Sequence, residues 1–293
     1  DALPISATGL ADSVARLRAR DIPHELRRLP GGGAMLGFIG GSGPVLISVA
    51  LLTLALVGLE LVVCAGLGLL FVWPMLSMRQ MEEVVDKNGF KNCYVRPVAW
   101  RGSEMMAVAA QNSTINVAIA VWDWPSMFDI ATKMKGIKLD IADYRRPDPA
   151  CAPVHAKAAG LYMICTISKH KAEKKGYADA MMLDWQGRVA ECTGANIFFT
   201  RDGAIHTPIA DCFLNGITRQ TVIALAREQG LEIIERRIMP EELTGFNECF
   251  IVGSAAEVTP VAEIGPYRFT PGNISRTMMD AYTNAVRPKS KAA

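Results

Sequence analysis

Histidine is scarce in this sequence: four residues, at 24, 155, 170 and 206, stand too far apart to suggest a metal cluster, so no structural metal is expected. None of the seven cysteines falls in a CxxC pair. Their odd number argues against a disulfide framework and for reduced thiols in a cytosolic compartment. Charge of one sign is also lacking, since 31 Lys and Arg against 29 Asp and Glu leave a net +2 spread along the chain. Without a basic patch there is no electrostatic footprint for nucleic acid. No internal repeat or low-complexity tract is present, which excludes a solenoid. With 293 residues, 50% of them hydrophobic and 20% charged, the chain can bury a sizeable core and is long enough for two domains.

The first 77 residues differ in texture from the rest. Residues 1–33 contain Arg, Pro and Gly with weak periodicity and end in Gly31-Gly32-Gly33, so poor order is expected there. Residues 34–59 carry no charge, and between 45 and 73 the only charged residue is Glu60. That pattern predicts an apolar helix long enough to span a membrane. The 18 Leu, Ile, Val and Phe residues of 45–73 contribute roughly −5 to −11 kcal/mol to insertion, while a central carboxylate costs about 3 kcal/mol. Insertion wins on these figures. The segment lies too deep and runs too long for a secretory signal peptide. Two alternatives stand beside the span over 34–77: a buried core helix, which Gly58, Gly66 and Gly68 would weaken, or a stretch not native to the remainder of the chain.

From residue 78 the sequence has the texture of a soluble mixed α/β (α+β) protein. A helix over 80–88 stops at Gly89, and NCYVRPVAWR (92–101) and INVAIAVWDW (115–124) alternate as strands. Residues 78–125 thus read as a small α/β domain and 126–293 as a larger one. The joint is a loop carrying WPSMFD and YRRPDP around a short strand, IKLDIA. A helix is predicted over 160–175, closed by Gly176, followed by hairpins turning at 185–188 and 201–203.

The chemistry concentrates between His155 and Glu191. Lys157 stands among Ala156, Ala158, Ala159 and Gly160, which offer an ammonium little solvation, and desolvation favours the neutral amine. A neutral amine attacks carbonyls. That is what holding an aldehyde cofactor as a Schiff base requires, and pyridoxal 5′-phosphate (PLP) is the aldehyde most often held so. A lone lysine is more often a surface residue, and the plain readings of Tyr162 and Glu191 are a core tyrosine and a surface strand residue. Further on, in LNGITRQTVIALAREQG, residues 216–218 fall at a predicted helix N-terminus, where backbone N–H groups and the dipole suit a phosphate. An ordinary N-cap by Thr218 is the plainer reading. A similar small-residue turn, GSAA at 253–256, follows the strand ECFIV.

Together AKAAGLY, VAECTGANIFF, LNGITR and GSAAEVTPV, over about residues 79–289, resemble the class IV PLP-dependent aminotransferases, and among them the branched-chain amino-acid aminotransferases. The resemblance implies that Lys157 is the catalytic residue and holds PLP covalently, that Tyr162 bonds near its phenolic oxygen, and that Glu191 pairs with its ring nitrogen. It further implies that Gly216, Ile217, Thr218 and Ser254 hold the phosphate and that Leu214 packs on the ring. Substrate contacts fall to Arg96, Trp124, Gly194 and Ala255. It implies a fold of two domains, transamination of Leu, Ile and Val with 2-oxoglutarate, a homodimer, and a cytoplasmic catalytic domain, anchored to a membrane if 45–73 spans one.

The sequence also departs from that family. The N-terminal strands with their His-Tyr-Gly and Phe-Glu-Gly stretches, and the arginine that clamps the phosphate, are absent in register, so the small domain is expected to be incomplete. HELRRL at 24–29 bears only a faint likeness and stands too far ahead of Arg96. Ala195 and Met127 replace residues common in relatives, which bears on substrate preference. Other readings of the same site are a D-amino-acid aminotransferase, an aminodeoxychorismate lyase, or a catalytically impaired, membrane-tethered homologue.

Overall fold

The computed structural model describes residues 24–28, 34–38, 78–105, 108–124 and 130–287. The chain divides into two compact units, one reaching residue 125 and the other starting at residue 126.

In the first unit, strands β1 (His24–Arg28), β2 (Ala34–Phe38), β3 (Tyr94–Arg101) and β4 (Ile115–Trp122) form an antiparallel sheet in the order β1-β2-β4-β3. Helix α1 (residues 78–87) precedes β3 and stops at Gly89, whose φ of +70° is the left-handed conformation that ends helices. Val84 and Val85 of α1 pack with Val95, Ile119 and Val121 into this unit's core. Strand β1 departs from the expectation of poor order over 1–33, and β2 from that of a membrane span or non-native stretch over the whole of 34–77. Their periodicity is weak because each is only five residues long. What makes them strands is the ladder offered by β4, whose residues 117–121 pair with β2. The predicted apolar helix at 45–73 lies outside the described residues, and among these no helix is long and apolar enough to cross a membrane.

The second unit is built on a mixed nine-stranded sheet. Its strands are β5 (Ile137–Ile141), β6 (Asp179–Leu183), β7 (Val189–Cys192), β8 (Asn196–Arg201), β9 (Ala204–Pro208), β10 (Ile233–Arg236), β11 (Glu248–Gly253), β12 (Glu257–Ile264) and β13 (Tyr267–Arg268). Their order is β10-β9-β8-β11-β12-β5-β6-β7, with β13 paired to β12. The helices are α2 (Ile130–Lys133), α3 (Ala159–Lys174), α4 (Ile217–Glu228) and α5 (Asn273–Val286). The central strands read as continuous apolar runs because both of their faces are buried. Ile197 and Phe199 of β8 and Cys249 and Ile251 of β11 join one core, while Phe198, Phe250 and Val252 point the other way, under α4 and α5. The sheet curls, so that its last strand, β7, returns to contact β8. A tight link, with Cys192 N–H donating to Ala195 O at 2.7 Å, joins the two. Both predicted hairpins form, and the second turns on Asp202 and Gly203 at φ +53° and +81°, the pair of positive values that suits a two-residue hairpin.

Candidate active site

The curl of the sheet brings Glu191, on β7, beside Asn196, the first residue of β8. Glu191 is buried, and burial pushes its carboxyl up to about 8 against the opposing pull of Arg146 and then Lys157. Arg146 Nε lies 3.3 Å from Glu191 Oε1, but its N–H is not aligned for a hydrogen bond. Asn196 Nδ2 donates to the other carboxylate oxygen at 3.3 Å. The carboxylate is thus bracketed by a cation and an amide, with an amine near enough to act on it.

Lys157 lies in the loop just ahead of α3, and Tyr162 lies in the first turn of that helix. Burial raises the Tyr162 hydroxyl, the Lys157 charge opposes the shift, and Glu191 reinforces it. These three predicted residues therefore share one electrostatic environment. The expected desolvation of Lys157 is corrected: the side chain is exposed in this chain, as are Ala156, Ala159 and Gly160. Small side chains are too short to cover a lysine, so apolar neighbours in sequence do not amount to an apolar environment.

At the second predicted cluster, Gly216 is the N-cap of α4 and offers no side chain to cap it, and no acidic residue occupies the first turn. The dipole end is thereby left to an anion. Behind the turn, fully buried Arg219 donates to Asn215 Oδ1 at 2.8 Å, to Pro208 O at 2.9 Å and to Glu235 at 2.8 Å. Thr218 is buried and its side chain hydrogen-bonds Tyr282 of α5, while Ile217 is exposed. The half-buried Leu214 turns its carbonyl back to accept from Asn196 Nδ2 at 2.9 Å.

Between β11 and β12 lies the GSAA turn. Its Gly253 packs so closely on the Gly194 carbonyl that a Cβ there would come within 3.3 Å, which places the partly buried Ser254 and exposed Ala255 near exposed Gly194. Glu257, which ends the turn, has the left-handed φ of +54°. Its carboxylate is gripped by Lys133 and Arg287, each at 2.7 Å. Two cations from either side hold the one strained residue of the turn in place.

Arg96 and Trp124 lie in the other unit, gathered in one aromatic cluster. The Arg96 guanidinium stacks on Tyr94 and Trp122 at 5.4 and 5.6 Å, and Trp124 packs on the same two rings. Sequence reasoning did not single out Arg146 or Asn196. Both lie within motifs of the sequence, YRRPDP and VAECTGANIFF. In a pair of adjacent arginines nothing local says which one turns inward, and the structure buries Arg146 while leaving Arg145 exposed.

A family model described as amino-transferase class IV matches residues 77–264. A probable branched-chain-amino-acid aminotransferase of Rickettsia conorii is 41% identical over 184 residues, 62% of either chain. The branched-chain-amino-acid aminotransferase of Pseudomonas aeruginosa is 35% identical over 211 residues, 71% of this chain and 69% of that one. The solved branched-chain aminotransferase of Thermoproteus uzoniensis with norvaline superposes with a TM-score of 0.68 at 35% identity, covering 74% of this chain and 72% of that one. Another solved branched-chain amino acid aminotransferase, complexed with N-(5′-phosphopyridoxyl)-L-glutamate, gives 0.68 at 34% identity, covering 73% and 72%. The chain spans under two thirds of the length of its Rickettsia conorii relative.

Proposed function

This chain belongs to the amino-transferase class IV family, and from that membership we propose that it moves an amino group between leucine, isoleucine or valine and 2-oxoglutarate, with PLP as cofactor. The observation that carries the reading is the buried carboxyl of Glu191, flanked by Arg146 and within range of the Lys157 charge. The donor set fits PLP: an amine for the aldehyde, an acid for the ring nitrogen, and a helix N-terminus with a side-chain-free cap for the phosphate.

When bound, PLP supplies the electron sink that makes a carbanion at the substrate Cα accessible. Glu191 holds a proton on the ring nitrogen, which an amide or hydroxyl in its place would not do. The ionised form that this requires is favoured by Arg146, since a cation close by lowers a carboxyl pKa. Lys157 Nζ would take the proton from the substrate Cα as general base and deliver it, as general acid, to the cofactor carbon that receives the amino group. Tyr162 would hydrogen-bond near the phenolic oxygen. Gly216, Ile217, Thr218 and Ser254 would hold the phosphate, and Leu214 would pack on the ring. Arg96, Trp124, Gly194 and Ala255 contact the substrate. The active unit is a homodimer with its catalytic part in the cytosol, anchored to a membrane only if residues 45–73 span one.

Steady-state assay of the purified full chain with L-leucine and 2-oxoglutarate tests the activity. Turnover of L-leucine is expected, and turnover of D-alanine or of aminodeoxychorismate alone would overturn the reading. Sedimentation tests the dimer, and extraction from membranes by detergent but not by salt tests the anchor.

A further inference from the structure

Asn196 stands where the two halves of the site meet. It is buried, opens β8, and pairs across the sheet with Val252 of β11. Its Nδ2 carries two protons, and two acceptors lie in reach: Glu191 Oε2 at 3.3 Å and Leu214 O at 2.9 Å. Its Oδ1 backs onto Gly216, where a Cβ would stand only 2.6 Å away. Gly216 has φ −58°, a value that any residue adopts, so this glycine is required for its closeness to Asn196 and not for its backbone conformation. One primary amide therefore touches the carboxylate assigned to the ring nitrogen, the carbonyl before the phosphate turn, and the cap residue of α4.

We propose that Asn196 is a positioning residue that couples Glu191 to the Leu214–Gly216 turn, setting the distance between the groups that receive the ring and the phosphate of the cofactor. The inference rests on the PLP reading given above. The side-chain chemistry is specific. Aspartate would place a second anion against Glu191, and leucine, of similar shape, would leave both acceptors without their donor. A residue that merely filled space would tolerate either change. Coupling also has a consequence that a local role lacks: a disturbance at the phosphate end must be felt at the ring end.

The test uses the purified full chain freed of cofactor, titrated with PLP and separately with pyridoxal, which has the ring but no phosphate. Dissociation constants are read from absorbance, beside thermal melts of each protein. Asn196→Asp and Asn196→Leu are expected to weaken pyridoxal about tenfold, the loss of one hydrogen bond to a charged group. Gly216→Ala, whose new methyl pushes the Asn196 amide aside, is expected to weaken pyridoxal as well, although pyridoxal makes no use of a phosphate site. If Gly216→Ala weakens PLP and leaves pyridoxal at the wild-type value, the turn acts locally and the proposal fails. Unchanged pyridoxal binding in both Asn196 variants also overturns it. Should the Asn196 variants not fold, Gly216→Ala alone decides. A wild-type chain that binds neither compound instead refutes the PLP reading, and the coupling falls with it.

Discussion

At Glu191 the chain buries a carboxyl that burial pushes up to about 8 and brackets it with Arg146 and Asn196. At Gly216 it presents backbone donors and a helix dipole, and puts its arginine, Arg219, out of the way behind the turn. Both arginines are buried, but they are used differently. Arg219 is fastened to three acceptors at 2.8 to 2.9 Å, while Arg146 donates only at 3.5 Å, to Leu161 O and Cys165 Sγ, and stands 3.3 Å from its carboxylate without hydrogen-bond alignment. A fixed charge in a rigid cradle suits architecture. A charge held near a carboxyl that titrates close to neutral pH suits chemistry, because the proton can come and go. The difference teaches that burial alone does not tell what an arginine is for; the number and alignment of its acceptors do.

The largest effect is expected from Lys157→Ala, which should lower turnover on the order of 10³-fold or more. A thermal melt of the variant beside the wild type separates lost chemistry from a lost fold. Next comes Glu191→Gln, read in the cofactor-free chain by thermal or urea unfolding between pH 5 and 8. An acid whose folded pKa is raised binds more protons folded than unfolded over that range, so wild-type stability must fall as pH rises through it. Glutamine cannot ionise, so the variant should escape a loss of roughly 3 kcal/mol between those limits. Parallel pH curves for the two proteins would remove the titrating carboxyl from the comparison.

Arg219→Met should cost about 2 kcal/mol at neutral pH by urea unfolding, since three acceptors lose their donor together. Arg146→Met should cost less, about 1 kcal/mol, because Glu191 can take up a proton and need not remain as an unpaired buried anion. A larger loss for Arg146 than for Arg219 would reverse the contrast between the two ends. Lys169→Ala breaks an exposed pair with Glu173 and a hydrogen bond from Nζ to Ala178 O at 2.8 Å, and should cost under about 1 kcal/mol.

Much of the second unit was legible because its signals are local. Helices stopped where Gly176 and Gly230 supply positive φ, and the β8–β9 hairpin turned on Asp202-Gly203, where two positive φ values are needed. The order of Lys157, Glu191, Gly216 and Ser254 was legible too, as motif and spacing. The short strands β1 and β2 were not, since five residues beside glycines carry too little periodicity and become strands only against β4. Nor was the exposure of Lys157, which depends on what the fold leaves above it. Residues 45–73, the most distinctive stretch by composition, lie outside the described residues.

What this sequence determined by itself was the inventory: an amine, a strand acid and two glycine-led turns in a fixed order, together with the helix stops and hairpin turns that side chains and φ preferences dictate within a few residues. What only the tertiary structure decided was which polar groups share an environment. The curl that returns β7 to β8 sets Glu191 beside Asn196, turns Arg146 inward and not Arg145, and joins Asn196 to the turn before α4. Those contacts link residues from 5 to 45 positions apart, through burial and hydrogen bonds that exist only once the sheet is closed.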